Sequence, residues 1–373
     1  MERARETVRE TIYTFGEELA HGLTHGIGAL LALEITGTDL SIVAIIGIIL
    51  LLLGAFLWAS GRVGGRGMTT QKLIDRMQGE KVFAGFRRAH AKGVCLSGSF
   101  QASGALAPYS RSPLFARGST PLIGRFSLGG GNPTAPDLKA SVRSLAFMLA
   151  QPDGQQWRSA MNTPPVLAVG TPQAFFDQMG AMKPDPATGK PDPARIAAFF
   201  AAHPESASFR SWQAAYKPSS SWATERYNSI NAFYLVAPDG SRRAVRWTAV
   251  PKAAALPLQE SDDPLALQKE LAARLARGPV EFDLVFTFAG AGDDPDDATK
   301  PWPGGRQELS GGVLSITAMR PQAGGACNGL TFDPLVLPDG IAASDDPILR
   351  ARSSAYAESY RRRARETALG EAR

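Results

Sequence analysis

The stretch FRRAHAKGVCLSGSF, from Phe86 to Phe100, places a histidine between a basic pair and a run that is typical of a β-strand. His90 and His203 are the two histidines that lie beyond the first 40 residues. The ordinary interpretation of such a residue is a histidine whose ring nitrogens are satisfied within the fold. The segments that surround His90, together with a matching segment near the other end of the chain, favour a functional interpretation.

The composition is that of a globular chain, and it excludes several classes of protein. The 373 residues are 44% hydrophobic and 20% charged, which suffices for one large domain or two small ones. The net charge of +5 is dispersed and no basic-aromatic motif is present, so nucleic-acid binding is not expected. Cys95 and Cys327 are too few for a disulfide framework or a four-ligand zinc site. They either pair once in an oxidising compartment or remain free thiols.

One segment has the character of a membrane anchor. Residues 40–59, LSIVAIIGIILLLLGAFLWA, carry no charge and are long enough to span a bilayer core as one transmembrane helix. A buried core helix is the alternative, but the segment has no polar face; a cleaved signal peptide would be shorter and would start earlier in the chain. The segment divides the chain into a mixed-charge region (residues 1–39), the span, a glycine-rich linker (residues 60–67) and a large domain (residues 68–373).

The large domain is predicted to be α+β, an antiparallel β-barrel with inserted and C-terminal helices. Short runs of strand character, punctuated by Gly, Pro, Asp and Asn, begin near Val94; they are VCLSGSFQ, PLIGRFSL, PPVLAVG, NAFYLVAP, RRAVRWTAV, EFDLVFTFAG and GVLSITAM. Helical stretches lie before and between them; these are TTQKLIDRMQG, DLKASVRSLAFMLA, TPQAFFDQM, PARIAAFFAAH and DPLALQKELAARLA. Many strands with helices inserted are typical of a decorated barrel.

Four segments of this domain resemble those of the heme catalases, in the same order along the chain. They are RRAHAKG, GRFSLGG, MNTPPVLAVGTPQAFF and FDPLVLPDGIAASDDPILRARSSAYAESYRRR. The chain ends soon after the last segment, which in the resemblance carries the proximal Arg-x-x-x-Tyr. That shortness, with HAKGVC and LPDGI, resembles the catalase-related peroxidases, the small branch of the superfamily.

The resemblance implies a distal site on the peroxide side of the heme. His90 holds the position of the histidine that accepts and returns a proton, which a neutral imidazole can do near pH 7. Ser127 falls where the family's serine hydroxyl hydrogen-bonds that imidazole. The peroxide-orienting asparagine has two candidates: counting from Asn-Thr-Pro gives Met161, whereas counting back from the helix start gives Asn162. We prefer Asn162, because Phe175 then matches the family's distal phenylalanine.

The resemblance also implies a heme b site with its iron ligand. Tyr356 fits the proximal phenolate, and Arg352 lies one helical turn earlier on the same face, where its charge favours the ionised phenol. Arg87, Arg125 and Arg363 occupy positions that bind the two heme propionates, for which guanidinium groups are suited. Taken singly, each would be interpreted as an ordinary surface or helical residue.

The function implied is a membrane-anchored heme peroxidase that reduces hydrogen peroxide or organic hydroperoxides through a ferryl intermediate, with weak or no catalase activity and an electron donor that the sequence does not identify. One alternative is a fatty-acid hydroperoxide isomerase like the allene oxide synthases of the same superfamily. Another is a non-catalytic, membrane-tethered heme-binding or sensor protein.

The side of the membrane is predicted from two arguments that conflict. Arg62, Arg66 and Lys72 follow the span closely, which by the positive-inside rule favours a cytoplasmic domain. An N-terminal anchor with a glycine hinge is instead typical of a tethered secreted domain, and the resemblance favours an enzyme outside the inner membrane. We therefore expect a single-pass protein with a periplasmic heme domain, with the cytoplasmic side as the alternative.

Overall fold

The computed structural model describes residues 37–59, 68–79 and 81–371. The chain divides into two compact units, Met1–Gly67 and Met68–Arg373. The second unit starts at the residue where the sequence analysis places the start of the large domain. Most of the predicted mixed-charge segment (residues 1–36) and all of the predicted linker (residues 60–67) lie outside the described residues.

The first unit contains helix α1, Gly37–Ala59. Its large apolar side chains between Ile42 and Phe56 are exposed, from 38% at Val43 to 71% at Leu51. Within the residues that the structure describes, no helix combines the length and apolarity that a membrane crossing requires. Side chains of α1 are described only over residues 42–57. The predicted span, residues 40–59, extends beyond them at both ends and stays a prediction.

The second unit is built on an antiparallel barrel. Its strands are β1 (Gly93–Ala102), β2 (Gly118–Leu128), β3 (Arg143–Ala150), β4 (Gln156–Asn162), β5 (Tyr227–Asn228), β6 (Phe233–Val236), β7 (Arg242–Pro251), β8 (Val280–Phe288), β9 (Glu308–Pro321) and β10 (Ile341–Ala343). Eight of them pair in the order β7-β5-β4-β3-β2-β1-β9-β8, and β8 pairs with β7 to close the ring. The remaining two, β6 and β10, extend the sheet from β7. The predicted α+β barrel is therefore confirmed.

Besides four 3-10 helices of three residues each, six α-helices belong to this unit in its described part: α2 (Thr70–Gln78), α3 (Pro172–Ala181), α4 (Pro193–Ala202), α5 (Ala207–Ala215), α6 (Ala266–Leu275) and α7 (Pro347–Ala368). The starts of several follow from local sequence. Thr69 and Thr171 accept hydrogen bonds from the backbone N–H groups of Lys72 and Ala174, both at 3.2 Å. Asp346 caps α7 with a bond of 2.8 Å from the N–H of Ile348, and Pro347 takes the first helical position, where its missing N–H costs nothing.

Two local predictions are wrong. The stretch from residue 137 to 150, predicted as a helix, contains β3, because seven of its eight residues from Arg143 are buried and cross-strand packing decides the conformation. The run PPVLAVG, predicted as a strand, is a loop that leads into α3. Strand β4, just before that loop, was not predicted. In that region the sequence analysis identifies the Asn-Thr-Pro motif and no strand.

The interior of the barrel is filled by aromatic side chains. Trp157 lies edge-on to Trp247 at 5.2 Å between ring centroids and to Phe147 at 5.1 Å, and all three are buried. Because side chains alternate between the faces of a strand, the neighbours of interior residues point outward. Phe126 packs in the barrel core, whereas Arg125 and Ser127 line a cavity outside it. The functional site is therefore expected on the outer face of the barrel.

Candidate active site

A cavity lies between the outer face of strands β2 to β4, helices α2, α3 and α7, and the segments around residues 87–90 and 330–332. The cavity has a volume of about 230 Å³. It is the place where the predicted site residues meet. His90, Ser127, Asn162, Met161, Phe175, Arg87, Arg125, Arg352, Tyr356 and Arg363 all line it, although they are spread over 277 positions of the chain.

A row of polar side chains crosses the cavity wall from strand to strand. Ser127 of β2 is in register with Ser144 of β3, and Ser144 is in register with Asn162 of β4. Antiparallel partners project on the same face of the sheet. The three side chains therefore form one polar strip facing the cavity, and His90 lies just before β1, the strand next to β2.

His90 contacts this strip through Ser144. The Ser144 Oγ lies 3.0 Å from Nδ1 of His90 and donates its proton to Oδ1 of Asn162. A hydroxyl has one proton, so the oxygen that donates to Asn162 accepts a hydrogen bond from Nδ1–H. The imidazole is thereby held with its proton on Nδ1, and Nε2 is left as a proton acceptor. The prediction that Ser127 makes this hydrogen bond is corrected: Ser127 lines the same cavity one strand away.

The backbone of His90 is held in an unusual conformation. Its φ of 53° lies in the left-handed region, which non-glycine residues seldom adopt. Nη2 of Arg125 donates to the carbonyl oxygens of His90 and Ala91 at 2.8 and 3.2 Å. These contacts compensate for the strain, which persists only when surrounding groups fix the residue. Arg125 thus determines the direction in which the imidazole enters the cavity.

A second set of contacts fastens the same segment to helix α7. Both oxygens of the Glu366 carboxylate are used: one accepts from the backbone N–H of Gly85 at 2.8 Å, and the other forms an ion pair with Arg88. The N–H of Arg88 also donates to Ser359 Oγ at 3.3 Å. Arg88 is 3% exposed, so solvent screens this pair little. The loop that carries His90 is therefore fixed on both sides.

The environment keeps the His90 ring neutral. Its pKa is lowered to about 4, first by burial and then by the positive charges of Arg125, Arg352 and Arg87. The His90 side chain is half-buried because one side of it faces the cavity. Protein also forms the walls of the cavity, so the ring is still largely removed from bulk solvent. At pH 7 the imidazole is therefore unprotonated, the form that can accept a proton.

The structure distinguishes the two candidates for the distal asparagine position. Met161 is fully buried and belongs to the cluster that fills the barrel interior, although part of it reaches the cavity wall. Asn162, next along β4, points the other way and joins the polar strip through Ser144. The amide at position 162 is therefore the group placed beside His90. Phe175 of α3 lines the apolar part of the cavity next to them.

Helix α7 carries the predicted iron ligand. Tyr356 and Arg352 are four residues apart and both line the cavity. Arg352 is anchored by bonds from Nη1 to Asn231 Oδ1 at 2.5 Å and from Nη2 to the Ala160 carbonyl at 2.8 Å. Asn231 in turn donates to the helix-capping Asp346 at 2.6 Å. Asn231 was not predicted, because nothing in the run YNSINAFYLV distinguishes an arginine partner from a turn asparagine.

Three guanidinium groups lie together at one part of the cavity. These are Arg87, Arg125 and Arg363. Burial is the main cause that lowers the pKa of all three groups, and the pKa of Arg87 falls to about 9. Like charge adds to this: Arg363 lowers the pKa of Arg87, Arg87 and Arg363 lower the pKa of Arg125, and Arg88 lowers the pKa of Arg363. None of the three is paired with a carboxylate among the described residues; their acceptors are carbonyl and amide oxygens. Nη1 of Arg87 and Nε of Arg363 are buried and have no hydrogen-bond partner there.

Unpaired buried cations of this kind require an anionic partner, since burying charge without one is costly. A ligand with two carboxylates would supply the missing charge and acceptors. The same cavity also contains the phenol of Tyr356, the guanidinium of Arg352 one helical turn before it, and an apolar wall. The residues present therefore fit a heme with its two propionates.

The two cysteines are joined. Cys95 of β1 and Cys327 form a disulfide with their Cα atoms 5.3 Å apart. The sequence left two possibilities, a disulfide or two free thiols, and the structure contains the disulfide. The bond packs with Phe332 and Tyr356 beside the cavity.

Comparison with known proteins agrees with this geometry. The family model described as Catalase matches residues 65–278. A catalase-related peroxidase of Synechococcus elongatus is 38% identical over 304 residues, which are 80% of this chain and 90% of that protein. One from Mycolicibacterium paratuberculosis is 35% identical over 303 residues, 80% of this chain and 95% of the relative.

Solved structures show the same fold at lower identity. A bacterial catalase superposes with a TM-score of 0.67 at 20% identity, over 78% of this chain and 60% of that one. The chain thus spans about three fifths of the solved catalase. The barrel, the matched residues and the two similar peroxidases place this chain in the catalase family, among the catalase-related peroxidases.

Proposed function

We propose that this protein is a heme b peroxidase that reduces hydrogen peroxide or organic hydroperoxides. The observation that carries the proposal is the meeting, in one cavity, of a neutral histidine, a tyrosine on α7 and three buried arginines that have no carboxylate partner in the described part of the chain. Peroxide reduction needs a proton acceptor, a redox-active iron and a means of retaining the heme. The histidine, the tyrosine and the three arginines of this cavity suit these three requirements in turn.

The side chains divide this work. Tyr356 would hold the iron, with Arg352 stabilising the phenolate, and the three arginines would bind the propionates. Bound heme supplies the two-electron redox chemistry that no side chain of the site can provide. Nε2 of His90 would accept the proton from the peroxide oxygen nearer the iron and then return it to the leaving oxygen. Ser144 keeps the imidazole in the tautomer for that transfer, and Asn162 would orient the peroxide.

The overall reaction requires a donor. Reducing one hydroperoxide to an alcohol and water takes two electrons and two protons, and these come from an external reductant in a peroxidase. Phe175 and the apolar residues of α2, among them Leu73 and Met77, would exclude water from the peroxide site. An apolar wall of this kind admits organic hydroperoxides as well as hydrogen peroxide.

The test uses the full chain purified in detergent. A Soret absorption band with consumption of peroxide that depends on an added aromatic electron donor would support the proposal. Donor-independent conversion of a fatty-acid hydroperoxide would instead identify an isomerase. Heme binding without turnover of any of these substrates would identify a binding or sensor protein.

We also propose that residues 40–59 anchor the enzyme to the inner membrane, with the heme domain on the periplasmic side. Two observations support this: the uncharged segment exposes its apolar side chains in α1, and the disulfide is of a kind that persists in oxidising compartments. Protease added to intact spheroplasts should cut the heme domain. Protection that is lost only on lysis would place the domain in the cytoplasm.

A further inference from the structure

One turn contacts all three of the arginines assigned to the propionates. The segment QAGGACNGL, residues 322–330, follows strand β9 and is called the 322–330 turn below. Its Gln322 side chain accepts from Arg125 Nε at 3.1 Å. The carbonyl oxygens of Cys327 and Leu330 accept from Arg87 Nη2 at 2.9 and 2.8 Å.

Arg363 is bound by the same turn. Its Nη1 donates to the backbone carbonyl of Asn328 and lies 3.3 Å from the Oδ1 of that residue. The three arginines come from three separate elements: the segment before β1, strand β2 and helix α7. The 322–330 turn is therefore the shared set of acceptors that fixes their guanidinium planes relative to one another.

The turn is itself fixed by the disulfide. Cys327 is fully buried, and its bond to Cys95 fastens the turn to strand β1 across 232 positions of sequence. Gly325 lies so close that a Cβ there would be 2.6 Å from the Cys95 Sγ, which only glycine allows. Within the turn, bonds of 2.9 to 3.3 Å link the N–H groups of Gly325, Asn328 and Leu330 to carbonyl oxygens three residues earlier.

We propose that the Cys95–Cys327 disulfide and the 322–330 turn are positioning elements of the heme site, which orient Arg87, Arg125 and Arg363 for the propionates. The inference rests on the proposed function, because it takes heme carboxylates as the anionic ligand. Arginine forks bind carboxylates well only in a defined plane, so preorganised guanidinium groups retain the ligand better than freely rotating ones. Breaking the disulfide should loosen that preorganisation without removing any group that touches heme.

The experiment measures heme loss from the holoprotein. Full-length wild type and the variant Cys95→Ser/Cys327→Ser are loaded with heme in detergent, and apomyoglobin is added to capture released heme. Loss of one charge-assisted hydrogen bond corresponds to about a tenfold or larger change in affinity, and we expect the variant to lose heme faster by at least about that factor. The parallel experiment uses heme dimethyl ester, which has no carboxylates. With the ester, the two proteins should release the ligand at rates within about twofold of each other.

The outcomes distinguish a loss of arginine orientation from a general loss of protein stability. Equal heme loss from both proteins would overturn the proposal, and so would a variant that loses heme and its ester faster by the same factor. Val280→Ala, a core substitution in β8 outside the cavity, is the control for lowered stability and should leave the ratio of heme to ester release as in wild type.

Gln322→Leu tests the turn with the disulfide intact, should the double variant fail to fold. It removes the acceptor that the turn offers to Arg125, while the carbonyl acceptors of His90 and Ala91 remain, and it should speed heme loss but not ester loss. No change would overturn the role of the turn. If the wild-type protein itself binds no heme, the proposed function fails, whereas heme-binding wild type with an unaffected variant refutes only the positioning role.

Discussion

Replacing Ser144 with alanine tests which serine supports the distal histidine. In the structure the Ser144 Oγ lies 3.0 Å from Nδ1 of His90 and also donates to Asn162, whereas Ser127 stands one strand away. Ser144→Ala removes the acceptor that keeps the proton on Nδ1, so part of the population should place the proton on Nε2 and lose its base. A neutral hydrogen bond contributes about 0.5 to 1.5 kcal/mol, and this corresponds to a rate about 2- to 12-fold lower.

The assay is stopped-flow absorbance of the Soret band on mixing the heme-loaded protein with excess peroxide, before any donor is added. Ser144→Ala should slow the second-order rate constant by that factor with unchanged heme content. Ser127→Ala is the matched control, since it removes a hydroxyl from the neighbouring position of the same polar strip, and its rate should stay within about twofold of wild type. A larger effect for Ser127→Ala than for Ser144→Ala would refute the assignment of the Nδ1 partner.

Three further predictions concern the ligand and the base. Tyr356→Phe should purify with little heme or with an altered high-spin spectrum, because the variant lacks the phenol oxygen that would hold the iron; wild-type heme content and spectrum would contradict its role. His90→Ala should keep heme but react with peroxide about 100- to 10,000-fold more slowly, the range for loss of a positioned acid-base group; an unchanged stopped-flow rate would make His90 structural. In the heme-free protein, NMR of labelled histidine should show His90 neutral down to about pH 4, and a midpoint near pH 6.5 would contradict its burial. Because the folded pKa lies below the unfolded one, His90 contributes a loss of stability as the pH falls from about 6.5 towards 4.

The sequence predicted the barrel from its strand-like runs, and the resemblance of four ordered motifs predicted the histidine, the tyrosine and four of the arginines that line the cavity. It misplaced β3, since ASVRSLAFMLA has apolar spacing that suits a helix as well as a buried strand. The error hid Ser144: in a helix the residue has no relation to His90, whereas in β3 it stands in register between Ser127 and Asn162. The 322–330 turn was also missed, because its function lies in backbone carbonyls, and a carbonyl leaves no residue-type signal. Cys327 was the one feature that could have drawn attention to it.

The arginines that would hold the heme also act on the proton acceptor. Burial is the largest cause of the low pKa of His90, and the charges of Arg125, Arg352 and Arg87 come after it. Binding of two propionates would offset the charges of Arg125 and Arg87, and these charges would then lower the pKa of His90 less. The burial would remain, and so would the positive charge of Arg352, which points its Nη groups at Asn231 and Ala160. His90 is therefore expected to stay neutral at pH 7 with or without the cofactor, so that the base is ready before the peroxide arrives.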